Sequence, residues 1–311
     1  MSSSDASAAP ELRVICGPTA AGKSAIAMQL AERFGANIVS ADSRQVYRGF
    51  DIGTAKPSPA DRERVPHAGV DVADPTERYS ASAWAAGATR WIAGSLARGR
   101  TPVVVGGTGF YIQALVSPLA PAPDMDPGAR SRLDAELGAL STHELRRWCR
   151  ALDPARATLG RTQLLRAIET AVLTGRRLSD IHAAAPRPVR RVRYLVVDPG
   201  AALAHWVENR VDRMLDAGWV DEVGRLERIV PMDAPAWKAC GYRDVIRLAH
   251  GELSISSARE AIVISTRQYA KRQRTWFRNQ LDAAAVTRCD PTDPAHLDVA
   301  AAWWLEGENE G

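Results

Sequence analysis

Apolar and polar positions along the chain predict short buried strands and amphipathic helices in turn. Leu12-Arg13-Val14-Ile15-Cys16 reads as a buried strand, and Ala25 to Arg33 carries its apolar residues at helical spacing. Ala36 to Asp42 forms a second strand whose carboxyl end delivers Asp42. The run from Ser43 to Pro57 is too polar and glycine-rich for a regular element and is expected to be a loop. His67, Asp71, Asp74 and Pro75 mark another polar connection, and Ser80 caps a helix running through Trp84 to Ala97. Arg100 to Gly109, with its valine run, makes a third strand buried on both faces, as in a parallel sheet.

From Ser117 to about Pro188 the pattern becomes helical only. Pro127 begins one helix, Ser141-Thr142-His143-Glu144 offers a capping box for the next, and Thr162 to Thr174 forms a third ended by Gly175. Prolines at 118, 121, 123, 186 and 188 flank the segment as joints that could swing. A strand follows at Arg190 to Asp198, then helices over Ala201 to Ala217, from Gly241-Tyr242-Arg243, and over Ser257 to Asn279. The expected division is a disordered tail at 1–10, a catalytic core from 11–117 plus 189–287, a helical insertion at 118–188, and a weakly ordered tail at 288–311 with a short helix near Leu297 to Leu305. Strands alternating with helices place the core in the α/β class, with a parallel sheet, a helical insertion domain and a helical carboxyl-terminal part.

Composition changes this picture little. The 311 residues suffice for one large domain with an insertion, and no apolar run approaches the roughly 20 residues of a membrane span. Met1 to Pro10 lacks the basic start and apolar core of a signal segment, so a cytoplasmic protein is expected, as a monomer. Cys16, Cys149, Cys240 and Cys289 show neither zinc nor disulfide spacing. A net charge of +4 is weak evidence for a nucleic-acid partner; its placement matters more. Arg267, Lys271, Arg274 and Arg278 recur along one face of the last long helix, which is either a solvated basic face or one that meets RNA phosphates.

The chemistry centres on Gly17-Pro18-Thr19-Ala20-Ala21-Gly22-Lys23-Ser24, which fits G-x-x-x-x-G-K-[ST] between a strand and a helix. Glycines let successive N–H groups converge on anionic oxygens at the positive end of the helix. Lys23 is placed to reach the terminal phosphates and the Ser24 hydroxyl to hold magnesium. The sheet is thus P-loop NTPase-like, and Asp42 either faces the same crevice as the phosphate loop or is a helix-capping or turn aspartate. The third strand closes on Gly106-Gly107-Thr108 without the acid that supports magnesium in nucleotide-hydrolysing relatives, which favours Thr108 as a hydrogen-bonding group.

The phosphate loop, Asp42-Ser43-x-Gln45-x-Tyr47, Asp51-Ile52-Gly53-Thr54-Ala55-Lys56-Pro57, Gly106-Gly107-Thr108, Gly241-Tyr242-Arg243 and Gln268-x-Ala270-Lys271-Arg272-Gln273-x-Thr275-Trp276 together resemble the bacterial tRNA dimethylallyltransferases, the IPP transferase family, from about Val14 to Arg278. The resemblance implies transfer of a dimethylallyl group from dimethylallyl diphosphate to N6 of the adenosine just 3′ of the anticodon, with magnesium. Asp42 is then the general base, Arg210 stabilises the leaving diphosphate, and Thr108 holds the target nucleotide. It also implies contacts with the anticodon stem-loop from Asp42, Ser43, Arg44, Gln45 and Thr108; from Arg130, Thr162, Gln163, Leu164, Leu165 and Arg166; and from Lys238, Ala239, Cys240, Gly241, Tyr242 and Arg243. Ahead of Gln163 the chain departs from the common Pro-Asn-Asp with Leu159-Gly160-Arg161. Two other readings use the same residues: a P-loop small-molecule kinase, which would turn over ATP, and a non-catalytic RNA-binding protein, which has no need of Asp42.

Overall fold

The computed structural model describes residues 11–117, 123, 125–184 and 191–306. The expected tail at 1–10, the prolines at 118, 121, 186 and 188, and residues 307–311 lie outside the described residues. The chain divides into two compact units, Met1–Val116 with Val189–Gly311 and Ser117–Pro188. The larger unit begins with β1 (Leu12–Cys16), α1 (Lys23–Phe34), β2 (Asn37–Ser40), α2 (Pro59–Arg64), β3 (His67–Ala68), α3 (Ala81–Leu96), β4 (Pro102–Gly106) and α4 (Gly109–Val116). The smaller unit holds α5 (Pro127–Gly138), α6 (Thr142–Leu152), α7 (Arg161–Thr174) and α8 (Leu178–Ala183). The larger resumes with β5 (Val192–Val197), α9 (Leu203–Asp216), α10 (Trp219–Leu226), α11 (Tyr242–Ala249), α12 (Ile255–Gln280), β6 (Val286–Cys289) and α13 (His296–Leu305).

The six strands form one parallel sheet in the order β3-β2-β4-β1-β5-β6. β1 lies between β4 and β5, with Val14 opposite both Val104 and Tyr194. β1 and β4 are buried along their whole lengths, as their apolar runs require. Connections leave β1 toward β2 on one side and later return to β5 on the other. The crevice at its carboxyl end is therefore a topological switch point, where open parallel sheets bind ligands.

Two departures from the sequence reading lie in this sheet. His67, placed in a connection, opens the edge strand β3, whose two residues carry too little pattern to register. The segment after Arg288, expected to be weakly ordered apart from a short helix near Leu297 to Leu305, carries the end of the edge strand β6 and then that helix, α13, which is built into the larger unit. Trp303 and Trp304 on α13 are essentially buried, and the Trp304 ring stacks on Phe34 with centroids 5.3 Å apart. Arg13 on β1 donates to the Trp304 carbonyl at 3.1 Å and lies over its indole, and Arg193 on β5 donates to the Trp303 carbonyl at 2.7 Å. A short apolar helix among polar residues looks dispensable in one dimension; these partners come from strands more than 100 residues away.

The smaller unit has its own core, built by Leu133 and Leu137 from α5, Leu145 and Cys149 from α6, and Leu164, Ala167 and Ile168 from α7. Its helices start where the capping signals put them. Ser141 and Glu144 form a reciprocal capping box, and Gly160 precedes α7 with Gln163 accepting from its N–H. Arg161, at the departure from the family pattern, donates to the carbonyls of Leu140 and Gly138 and so closes the carboxyl end of α5.

Candidate active site

The phosphate loop runs from the end of β1 into α1, and three of its residues need unusual backbone angles. Gly17 has φ 144° and Gly22 φ 87°, and a Cβ on Gly17 would stand 2.1 Å from the Val197 carbonyl oxygen of β5. Ala20 also lies in the left-handed region, at φ 62°, a strain the motif did not announce. Lys23 Nζ donates to the Pro18 carbonyl at 2.6 Å, folding back across its own loop. Burial, with Arg210 adding to it, pushes the Lys23 ammonium down to about 8.

Gln273 ties this loop to the next strand end. From α12 its Oε1 accepts the Thr19 N–H at 2.7 Å and its Nε2 donates to the Gly107 carbonyl at 2.8 Å. The Gly106 backbone lies so close to Ala41 that a Cβ would be 2.2 Å from its oxygen, so no side chain fits there. Sequence reasoning gave Gln273 no site role. The available signal was a polar residue on the apolar seam that Ile262, Tyr269 and Trp276 continue.

Asp42 stands two residues past β2. Its Oδ1 accepts the Arg44 N–H at 2.8 Å and the Gln45 N–H at 3.4 Å, and Oδ2 has no hydrogen bond among the described residues. Oδ1 therefore caps the turn, and Oδ2 is left open to the crevice. Thr108 Oγ1 accepts the Ser43 N–H at 3.0 Å, while the Thr108 N–H donates to the Ala41 carbonyl at 3.1 Å. Gln45 accepts from Ser40 Oγ and donates to the carbonyls of Thr54 and Ala55, pinning the loop that follows.

Two cavities meet at Asp42. The larger, about 1160 Å³, is lined by the phosphate loop from Thr19 to Ser24, by Asp42, Gln45 and Lys56, and by Arg210 and Arg213 of α9. The smaller, about 340 Å³, is lined by Ser43, Arg44, Gly53, Thr54, Trp219, Lys238, Ala239, Cys240, Tyr269 and Arg272. Thr19, Asp42, Arg210 and Met214 line both. The arrangement can hold an anionic ligand on one side and present a neutral nucleophile from the other, with a carboxylate between. Burial draws Arg210 below its ordinary value, and Asp42 opposes this.

A family model described as IPP transferase matches residues 45–280, and one described as Isopentenyl transferase matches residues 10–66. The chain belongs to the IPP transferase family. It is 43% identical over 286 residues to the tRNA dimethylallyltransferase of Halorhodospira halophila, covering 89% of this chain and 92% of that one. The tRNA dimethylallyltransferase of Deinococcus radiodurans is 41% identical over 283 residues, with the same two coverages. Among solved structures, the tRNA isopentenylpyrophosphate transferase of Bacillus halodurans matches with TM-score 0.67 and 31% identity over 96% of this chain and 98% of that chain. A eukaryotic dimethylallyltransferase acting on tRNA, 24% identical, shares the fold with TM-score 0.78 over 96% of this chain and 78% of that one. As a family member the chain is a prenyltransferase enzyme with a P-loop NTPase-like fold, and the kinase and non-catalytic readings fall away.

The remaining positions that the family resemblance implicates are placed unevenly. Ser43, Arg44, Lys238, Ala239 and Cys240 line the smaller cavity. Tyr242 is fully buried, with its phenol donating to Glu222 at 2.7 Å, so its side chain supports rather than contacts; Arg243 beside it is exposed. In the smaller unit Leu164 is core and cannot touch RNA by its side chain, while Thr162 and Gln163 are exposed and Leu165 is half-buried. Arg130 and Arg166 both pair with Glu169, the latter at 2.7 Å. The basic face of α12 is not a free cationic stripe. Arg274 is paired with Asp198 and Arg267 with Glu208, leaving Lys271 and Arg278 exposed on it. No helix among the described residues is long and apolar enough to cross a membrane.

Proposed function

We propose that the chain transfers a dimethylallyl group from dimethylallyl diphosphate to N6 of the adenosine 3′-adjacent to the anticodon of tRNA, releasing diphosphate, as a cytoplasmic monomer. The observation that carries this is Asp42 in the wall common to two cavities, one lined by phosphate-binding groups. The diphosphate lies in the larger cavity, against the N–H groups of the phosphate loop, Lys23, Arg210 and Arg213. The adenine, turned out of its stack, enters the smaller one, where Ser43 and Arg44 meet its edge and Thr108 Oγ1, accepting the Ser43 N–H, holds that backbone in place.

An exocyclic amine conjugated into the ring is a poor nucleophile. Asp42 Oδ2 takes a proton from N6 as the new carbon–nitrogen bond forms at the allylic carbon. The allylic carbon–oxygen bond breaks with its electron pair going to the diphosphate oxygen, and preorganised cations around that oxygen stabilise the charge.

Magnesium fits as a partner of the substrate rather than a resident of a protein cage. Among the described residues no group of three or more His, Cys, Asp or Glu could hold a metal, and the donor on offer is the exposed Ser24 hydroxyl. Magnesium keeps several waters and takes phosphate oxygens, which suits one hydroxyl beside a diphosphate. Bound there, it supplies further positive charge to the leaving group.

The test incubates purified protein and magnesium with labelled dimethylallyl diphosphate and an adenosine-bearing anticodon stem-loop. Label is expected on the RNA with the parent, and its formation is expected to fall at least a hundredfold with Asp42→Ala while both substrates still bind. Unlabelled RNA, with phosphate released from ATP instead, would replace this reading with phosphoryl transfer.

A further inference from the structure

Glu222 sits on α10, 1% exposed, in the large unit and well away from the phosphate loop in sequence. Its Oε2 accepts the N–H groups of Asp51 at 2.9 Å and Ile52 at 2.7 Å, and its Oε1 accepts the Gly53 N–H at 3.4 Å and the Tyr242 O–H at 2.7 Å. Three consecutive backbone donors converging on one carboxylate define the position of a turn as an anion nest defines its ligand. A carboxylate buried this deeply is retained only with such a set of partners. Burial and the neighbouring Glu222 charge hold the Tyr242 phenol far above its ordinary value, so it remains a donor.

The turn held in this way is the partition of the site. Asp51, Ile52 and Ala55 line the larger cavity, while Gly53 and Thr54 line the smaller, so a single thickness of chain separates the two here. The far side of Gly53 is sealed by Trp219, whose indole nitrogen would lie 2.2 Å from a Cβ on Gly53 and has no hydrogen-bond partner among the described residues. Gly241 is pressed on the same indole, where a Cβ would come within 2.4 Å. The turn is closed internally by Ala55 N–H to the Ile52 carbonyl at 2.9 Å and Lys56 N–H to the Asp51 carbonyl at 3.0 Å.

We propose that Glu222 is a positioning residue whose carboxylate holds the turn at Asp51 to Gly53 as a water-excluding wall, so that the allylic carbon is captured by the amine entering past Asp42 rather than by water. This rests on the prenyl-transfer reading above. An allylic diphosphate ionises readily, and water is the competing nucleophile wherever it has access. In that side reaction the allylic carbon–oxygen bond breaks with its electrons on diphosphate, water oxygen bonds the carbon, and one proton goes to solvent, giving dimethylallyl alcohol. The ratio of alcohol to alkylated RNA measures the wall, whereas a general loss of stability lowers both products together.

The experiment uses the full chain as Glu222→Gln and as Tyr242→Phe, with thermal unfolding to establish that each is folded, magnesium, labelled dimethylallyl diphosphate and the stem-loop. Glu222→Gln turns an amide N–H₂ toward backbone donors; Tyr242→Phe removes one hydrogen bond and keeps the ring that packs on Phe50 and Trp219. The expected result is a fall of about tenfold in kcat for RNA alkylation in Glu222→Gln, a rise of at least fivefold in the alcohol-to-RNA ratio, and KM for the stem-loop within about twofold of the parent. Tyr242→Phe is expected to move the ratio the same way by less, and decides the question if Glu222→Gln does not fold. An unchanged ratio in the folded variants overturns the role of Glu222. Failure of the parent to alkylate RNA would instead overturn the prenyl-transfer reading.

Discussion

At the scale of single residues, the phosphate loop does two things that its motif does not state. Lys23 is held near the pH at which its charge is lost. A bound diphosphate favours the cation, so binding takes up a proton once the free ammonium has lost it. The sign follows: affinity for inorganic diphosphate is full below pH 8 and declines as pH rises through it, by roughly tenfold between pH 7 and 9. Calorimetric titration of the parent against Lys23→Met checks this, because the variant retains only the ionisation of the ligand itself and should show no such decline. Gly17 is constrained differently, by φ 144° and the Val197 oxygen where its Cβ would go. Gly17→Ala is expected to cost roughly 3 kcal/mol, read from urea unfolding, by combining backbone strain with a clash against unyielding strand backbone. The motif marks the turn at Gly17 and Gly22 because backbone needs translate directly into glycine. It passed over Ala20, whose strain is imposed by the loop around it.

At the scale of elements, α12 shows where one-dimensional periodicity stops. Its extent was legible as Ser257 to Asn279, and the helix is present from Ile255 to Gln280. Which charged residues remain free was not legible, because Arg274 and Arg267 find Asp198 and Glu208, which lie in other elements. Gln273 is the converse, a polar residue in a buried row that turns out to join two strand ends. Gln273→Ala strands the Thr19 donor and the Gly107 acceptor, both inside the site. A loss of about 1–3 kcal/mol in stability is expected, together with weaker diphosphate binding, since the loop loses the brace that orders it. Thermal unfolding and the same calorimetric titration measure the two effects separately.

At the scale of the whole molecule, the carboxyl-terminal segment is the largest surprise. β6 extends the sheet and α13 covers α1, with Trp304 between Phe34 and the Arg13 guanidinium. Trp304→Ala removes a fully buried indole and is expected to destabilise the protein by about 3–5 kcal/mol in urea unfolding, while leaving kcat of the folded fraction close to the parent, since α13 lines neither cavity. The sequence by itself determined the parallel α/β class, the helical segment inserted after the valine strand, the phosphate loop, and Asp42 at a strand end, because these depend on local backbone geometry and on periods of two or 3.6 residues. Only the tertiary structure decided that Asp42 lies between two cavities, that Gln273 and Glu222 brace the loops around it, that half of the basic face is spent on internal ion pairs, and that the last helix belongs to the core. Each of these joins residues tens to hundreds of positions apart, and such pairings are set by how layers pack rather than by any pattern along the chain.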